Sequence, residues 1–328
     1  IILLEKRVPK NLHYLKNTVN AVLRRVDRER EELEKKYSNT RLNFPPWLLK
    51  SWDEYYGSAV VKQILSTLLT EAPLDISLKP HCDQKEWAKR LGGKAVLGGS
   101  IRISKAGKIS ELDGYNDGVW WVQDVAARIP STLLGASGGS DVLDLCAAPG
   151  GKAAQSAAAG NKVTAVDFSE RRLSRLKENM ARLDLSVDVV MSDVLLYKPK
   201  KRYDFILLDA PCSSTGTIRR HPEILHTRTK RDVDDLVVLQ AKMLNHAALL
   251  LNKGGVLVYS VCSMQQEEGP DQIKALLERH RSLKRKEIRA KELEGLEQAI
   301  LDSGDVQTLG HHMSEGIDSF FISRLVKS

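Results

Sequence analysis

The sequence holds no apolar run approaching the ~18 residues needed to cross a bilayer, which excludes membrane-spanning helices. Its opening residues, Ile1 to Leu4, are apolar but run straight into Glu5-Lys6-Arg7 with no cleavage pattern, so no signal peptide is expected. The chain starts at Ile1 rather than Met, so a missing or processed start is expected. Cysteine is scarce: Cys82, Cys146, Cys212 and Cys262 are too few and too scattered for a disulfide scaffold. Neither a Cys-x-x-Cys pair nor a Cys/His ladder occurs, so no metal is expected. Aromatic residues make up 5%, which argues against recognition through rows of exposed rings. A cytoplasmic protein with reduced thiols is the expectation, and the question becomes whether any thiol does chemistry.

The length of 328 residues is about twice the ~150-residue domain prior, which favours two domains. A composition of 42% hydrophobic and 28% charged residues fits a globular chain with a buried core. The formal charge of +8 is unevenly placed. Residues 1–50 hold 12 Lys and Arg against 6 Asp and Glu, whereas residues 136–328 hold 28 against 26. A basic front on a near-neutral body fits a polyanionic partner, and fits a solvated helix face equally well.

Leu12, Leu15, Val19, Val22, Leu23, Val26 and Leu33 recur at three- and four-residue spacing, predicting one amphipathic helix over 11–36. Asn43-Phe44-Pro45-Pro46 ends it, and two helical stretches follow at 47–55 and 58–69. Strands at 76–78 and 101–103 around a helix at 83–91 make a small α+β unit. From Asp141 strands and helices alternate: strands at 142–146, 162–166, 187–191, 203–208 and 256–261, helices at 152–159, 169–183, 233–251 and 271–279, and a terminal strand at 320–325. Buried strands alternating with helices predict an α/β fold with a parallel doubly wound sheet. The expected organisation is a helical segment over 1–40, a small helical and α+β unit over 41–114, and a catalytic domain over 115–328.

In such a sheet the ligand sits beyond the carboxyl ends of the strands. The first of these turns reads Asp144-Leu145-Cys146-Ala147-Ala148-Pro149-Gly150-Gly151-Lys152. It lacks the Gly-x-Gly-x-x-Gly of dinucleotide folds and the Gly-Lys-Ser/Thr of phosphate loops. Its small residues still let a ligand approach the backbone closely. Asp167, Asp193 and Asp209 end the next three strands. Three carboxylates there repel phosphate and suit a cationic nucleoside, and S-adenosylmethionine meets that requirement. Capping of the following helices is the plainer reading for any single one of them.

Cys212 follows the fourth strand in Asp209-Ala210-Pro211-Cys212, and Cys262 ends the fifth in Tyr259-Ser260-Val261-Cys262. Neighbouring parallel strands put both thiols on one rim. A lone strand cysteine is usually a small core residue, but two on the same rim suit methylation of a pyrimidine carbon. Carbon 5 of cytosine is a poor nucleophile until a thiolate adds to carbon 6. Asp209 is placed to assist at the ring nitrogen, and a second thiol to assist the final elimination. The residues alone leave open which cysteine attacks.

With these motifs the chain resembles the NOL/NOP/Sun group of RNA cytosine-5 methyltransferases, within it the bacterial RsmB (Sun/Fmu) type acting on 16S ribosomal RNA. The resemblance rests on Asp144 to Lys152, Asp209-Ala-Pro-Cys-Ser-Ser-Thr-Gly-Thr-Ile-Arg-Arg-His-Pro-Glu223 and Tyr259-Ser-Val-Cys-Ser263. Gly118 to Asp124 matches the lead-in to the catalytic domain, and Val19 to Arg25 is similar to the last helix of the NusB-like RNA-binding domain. The likeness implies that most of that domain is absent from this chain. It also implies a Rossmann-like methyltransferase sheet, preceded by a small RRM-like unit and N-terminal helices. It implies that Cys262 is the nucleophile and Cys212 the helper in product release. Cys146, Ala147, Ala148, Pro149, Gly150, Gly151 and Lys152 would line the methionine side of the cofactor. Asp167 would take the ribose, Asp193 the adenine edge, and Asp209 would lie between cofactor and base with Lys152 nearby. The implied partner is RNA, 16S ribosomal RNA or a small-subunit assembly intermediate, bound by a monomer. Val261, Gly269 and Ser319 depart from the family, which usually has Thr, Asn and Gly there.

Arg219, Arg220 and His221 are expected to clamp phosphates or the displaced nucleotide. Trp120 and Trp121 are expected to pack the two parts together rather than stack bases. Two rivals stand: a DNA cytosine-5 methyltransferase, in which the Pro-Cys thiol would attack, and an RNA-binding assembly factor without activity. An amino-group methyltransferase is disfavoured, since such enzymes favour a Pro-Pro-aromatic turn where this chain has Ala210-Pro211-Cys212.

Overall fold

The computed structural model describes residues 10–328 apart from residue 294, with the side chains of 10–12 outside the description. Residues 1–9 of the expected helical segment lie outside the described residues. The chain divides into two compact units, 1–45 and 46–328.

In the first unit a short 3-10 turn leads into helix α1 (Lys16–Arg28) and helix α2 (Arg30–Lys36). The single helix expected over 11–36 is therefore broken. At Glu29 the backbone leaves the helical region, with φ −97° and ψ 13°. Neither helix buries a side chain, so no packing holds the helical register across that point. Arg25–Glu29 and Arg30–Glu34 ion pairs, each four residues apart, support the two pieces separately.

The second unit opens with helices α3 (Pro46–Tyr56) and α4 (Ser58–Leu68), turned at Gly57, whose φ of 78° suits glycine. Strands β1 (Leu74–Leu78), β2 (Lys94–Val96), β3 (Ser100–Ile103) and β4 (Trp120–Val122) form an antiparallel sheet in the order β2-β3-β1-β4. Helix α5 (Gln84–Arg90) covers it, started by Asp83, whose carboxylate accepts from Glu86 N at 2.7 Å. The sheet thus takes in residues beyond 114. Adjacent tryptophans on β4 point to opposite faces, as strand geometry requires. Trp120 joins the small sheet's core with Ile76, Ile101 and Trp87, while Trp121 packs with Ala147, Ala148 and Leu176 of the following part. The expected packing role holds, and neither ring is exposed.

After helix α6 (Val125–Leu134) comes the large sheet. Its strands are β5 (Asp141–Leu145), β6 (Lys162–Asp167), β7 (Asp188–Met191), β8 (Tyr203–Asp209), β9 (Leu251–Val261), β10 (Leu283–Arg285), β11 (Val306–Gln307) and β12 (Phe321–Lys327). The order is β10-β12-β9-β8-β5-β6-β7, with β11 paired to β12. Strands β5 to β9 run parallel, with the order reversing beside β5, and α7 (Gly151–Ala158), α8 (Glu170–Arg182), α9 (Ile224–Thr227), α10 (Lys230–Leu250) and α11 (Pro270–Arg279) accompany them. The terminal strand β12 departs from the expected all-parallel sheet: it lies antiparallel to β9, β10 and β11. Antiparallel pairing needs no crossover helix, and only a 3-10 turn, Gly310–His312, lies between β11 and β12.

Candidate active site

A cavity of about 750 Å³ opens at the carboxyl ends of β5 and β8. Cys146 to Lys152, Asp144, Asp209 and Gln123 line it. The loop after β5 is shaped by two residues of positive φ, Cys146 at 64° and Gly150 at 107°. A Cβ on Gly150 would lie 3.0 Å from the Leu176 side chain, so glycine lets the loop sit down on α8. Asp167 is buried and holds the loop from below. Its carboxylate accepts from Ala148 N at 3.2 Å and Ser169 N at 3.0 Å, with Arg172 at 3.5 Å. Asp193 is exposed and accepts from Leu195 N at 2.8 Å, a capping bond. Neither lines the cavity. Exposed Phe168 and Met191 follow β6 and end β7, beside these two acids.

Lys152 Nζ donates to Asp209 Oδ2 at 2.7 Å and lies 5.1 Å from the Phe320 ring centre. Ser260 Oγ donates to the other Asp209 oxygen at 2.7 Å. Sequence reasoning misses Asp144, yet it is the most unusual acid here. Both its oxygens are buried without a hydrogen-bond partner. Burial pushes its carboxyl up to about 8, opposed by Lys152 and reinforced by Asp209 and Asp167. No sequence signal separates such an acid from an ordinary strand aspartate.

The two rim cysteines meet: Cys212 Sγ and Cys262 Sγ are 3.3 Å apart. The hydrogen bond from Cys212 lowers the Cys262 thiol from its ordinary value despite burial and Asp209. The same bond, together with burial, raises Cys212. Ser214 Oγ lies 3.7 Å from Cys262 Sγ, on a residue with φ 62°.

A buried carboxylate missed in the sequence, Glu268, registers the two cysteine loops. Its Oε1 accepts from Ser213 N at 2.8 Å and Gln240 Nε2 at 3.0 Å. Its Oε2 accepts from Ser213 Oγ and Ser263 Oγ, each at 2.5 Å. Gly216 clasps the same loops from the other side: its N–H donates to Cys262 O at 3.0 Å, and its carbonyl accepts from Ser319 N at 2.9 Å. Helix α3 braces the chain just after Cys262, with Trp52 Nε1 donating to Gln265 Oε1 at 2.7 Å and Tyr56 OH to Met264 O at 2.9 Å. Of the departures from the family, Gly269 has a local reason, since a Cβ there would lie 2.7 Å from the Phe321 ring.

The loop expected to clamp phosphates is held by internal partners. Arg220 forms a two-pronged ion pair with buried Asp318, Arg219 Nη1 donates to Glu315 O at 2.7 Å, and exposed His221 faces Glu223 at 3.2 Å. Arg220 is tied to Asp318 and Arg219 to the Glu315 carbonyl, which orders the loop, while Arg220 also lines the active-site cavity. Asp124, beside this cluster, is raised to about 7 by burial and by Asp318 and Asp75.

The family described as "16S rRNA methyltransferase RsmB/F" matches residues 131–326. The ribosomal RNA small subunit methyltransferase B of Serratia proteamaculans (strain 568) is 34% identical, over 95% of this chain and 73% of its own length. The protein of that name from Escherichia coli O127:H6 is 36% identical, over 81% of this chain and 65% of its own. The chain thus spans about two thirds to three quarters of these relatives. The crystal structure of PH0851 superposes with a TM-score of 0.80 at 26% identity, over 90% of this chain and 68% of that one. NSun6 from Pyrococcus horikoshii with SFG gives 0.75 at 19%, over 87% and 98%, and shares the fold.

Proposed function

The chain belongs to the 16S rRNA methyltransferase RsmB/F family, and we propose that it methylates carbon 5 of a cytosine in RNA, with 16S ribosomal RNA as substrate. The observation that carries this reading is the 3.3 Å pairing of Cys212 and Cys262 just beyond the carboxyl ends of β8 and β9, with Asp209, which ends β8, lining the cavity beside Lys152.

Cys262 is the nucleophile. Its lowered thiol gives more thiolate near neutral pH than an ordinary cysteine, and a thiolate is what adds to carbon 6. As the sulfur–carbon bond forms, electrons move through the ring toward carbon 5 and its nitrogen. Asp209 and Lys152, paired at 2.7 Å, stand where a proton or hydrogen bond at that nitrogen lowers the barrier. S-adenosylmethionine supplies the methyl group as a sulfonium. The loop from Cys146 to Lys152 fits it: small side chains permit close approach, and the unpartnered carboxyl of Asp144 faces the cavity as an acceptor for a cationic group. The ribose and adenine ends extend out of that cavity toward Asp167 and Asp193, at the end of β6 and just beyond β7. Once carbon 5 carries the methyl group, its proton passes to water, the freed electron pair restores the carbon 5–carbon 6 double bond, and the sulfur–carbon bond breaks to release Cys262 as thiolate. Cys212, buried and protonated beside it, supports that departure.

The test is direct. The protein is incubated with methyl-labelled S-adenosylmethionine and either 16S ribosomal RNA or duplex DNA, and the nucleosides are resolved by mass spectrometry. Labelled 5-methylcytidine from RNA supports the assignment; label in DNA only, or in another base, overturns it.

A further inference from the structure

A second cavity, of about 480 Å³, opens between the turn Leu97–Gly99, helix α6 and the segment around Lys291 to Leu296. Arg128 lines it. Two of its guanidinium nitrogens, Nε and Nη1, are closed off from solvent and have no hydrogen-bond partner. Burial lowers this guanidinium from its usual value. Other enclosed arginines face an acceptor: Arg102 pairs with Asp75 at 2.7 Å, Arg220 with Asp318, and Arg324 with Glu292 at 2.6 Å. The one acid described at this cavity is Glu292, and Arg324 already holds both its oxygens, keeping its carboxyl down at about 2. Gly98 and Gly99 have φ of 65° and 77° and lie against the guanidinium; a Cβ on Gly98 would come within 2.9 Å of Arg128 Nε. Lys291 stands exposed at the mouth.

An enclosed cation without a counter-charge is costly, and a site of this composition is completed by an anion. We propose that this cavity takes one phosphate group, received by the Arg128 fork with Lys291 at its entrance, and that the group is a backbone phosphate of the RNA. A guanidinium fork matches two phosphate oxygens at once. Ala127 lines the active-site cavity and Arg128, the next residue on α6, lines this one, so the two cavities flank the same turn of one helix, within reach of one RNA strand's successive phosphates. The RNA half of the proposal rests on the function proposed above.

Two arms test it on the full chain. In the first, inorganic phosphate is titrated without RNA or methyl donor, and thermal unfolding is followed for the native protein, Arg128→Gln and Lys291→Gln. Phosphate raises the midpoint of the native protein, less so that of Lys291→Gln, and leaves Arg128→Gln unmoved. In the second, a single-stranded RNA is bound at several salt concentrations. Arg128→Gln binds about tenfold more weakly, and its log K against log salt is shallower by about 0.7. Retained S-adenosylmethionine binding verifies that each variant is folded, and Lys291→Gln, altered only at the exposed mouth, carries the test if Arg128→Gln does not fold. A phosphate response with unchanged RNA affinity assigns free phosphate as the ligand and overturns the RNA half. No difference between native protein and variants in either arm overturns the site. If RNA binds no form of the protein, the function proposed above fails while the phosphate arm still reads the site.

Discussion

Cys212 and Cys262 come from the ends of neighbouring parallel strands, and their sulfurs lie 3.3 Å apart. That separation makes the two thiols chemically unequal. The one that donates keeps its proton, and the one that accepts is stabilised as thiolate. The shift down at Cys262 and up at Cys212 ranks them in the order that the family resemblance implies.

Removing the donor should therefore show in the pH profile. In Cys212→Ala the thiolate of Cys262 loses its hydrogen bond, so the rising limb of kcat/KM against pH moves to higher pH. Turnover falls about 10²-fold or more, because elimination loses its helper, and an RNA–protein adduct accumulates on denaturing gels. Cys262→Ala gives neither turnover nor adduct. An adduct in Cys262→Ala and none in Cys212→Ala would reverse the assignment.

Glu268 should matter for stability as much as for rate. Four donors converge on its carboxylate, from Ser213, Ser263 and Gln240. Glu268→Ala strands them in the interior, at roughly 3–5 kcal/mol in total, which lowers the thermal midpoint by about 10 °C. Glu268→Gln costs less, since the two serine hydroxyls can turn and accept from its amide. Calorimetric unfolding of both variants checks this, and a midpoint within a degree of the native value for Glu268→Ala would refute it.

Gly216 separates a clash from mere glycine flexibility. A Cβ there would lie 1.8 Å from Ser319 O and 3.1 Å from the Cys262 carbonyl carbon, so the backbone between the cysteine loops must move. A displacement of about 1 Å at a reacting group costs on the order of 10² in rate. Gly216→Ala should lose that much kcat while its affinity for S-adenosylmethionine stays near native. Gly254→Ala is the control. It has φ 78° but open space around the new Cβ, so it costs about 1 kcal/mol of stability and leaves kcat alone.

The catalytic sheet was legible because its buried parallel strands are apolar runs bounded by turns, unbroken in Phe205 to Leu208 and interrupted only by Asp144 in Val142 to Leu145. Helix α6 was not, because Pro130 lies inside it and its polar stripe is only Arg128, Ser131 and Thr132. Strand β4 was hidden in Trp120-Trp121-Val122, too short for alternation to register. The helix over 11–36 had the right periodicity and no partner surface within its own unit, and periodicity alone does not keep a helix continuous. At the site, the cysteines and the glycine loop could be named from spacing. Glu268 and Asp144 could not, since their roles come from burial, and Glu267-Glu268 reads in sequence as a solvated pair. Arg220 is the opposite case: a basic loop reads as a phosphate clamp, and the buried Asp318 that pairs with it lies 98 residues along the chain, where spacing gives no sign of it.

Asp144 gives the sharpest pH dependence. Its carboxyl is raised to about 8 in the folded protein, against an ordinary value of 3.8. The folded state then binds more protons than the unfolded state between those values, so this group's contribution is full below about 4 and lost as pH rises through 8. The protein without cofactor should lose thermal stability from pH 6 to 9, and Asp144→Asn, which cannot ionise, should lose less. A cation bound beside the carboxylate reverses the preference. S-adenosylmethionine binding below pH 8 should therefore release a proton, measurable by calorimetry in buffers of different ionisation enthalpy. Asp144→Asn should bind more weakly and release none. Equal pH slopes for the two proteins without cofactor would show that Asp144 is already ionised in the fold, and the proton release would then vanish from the native protein as well.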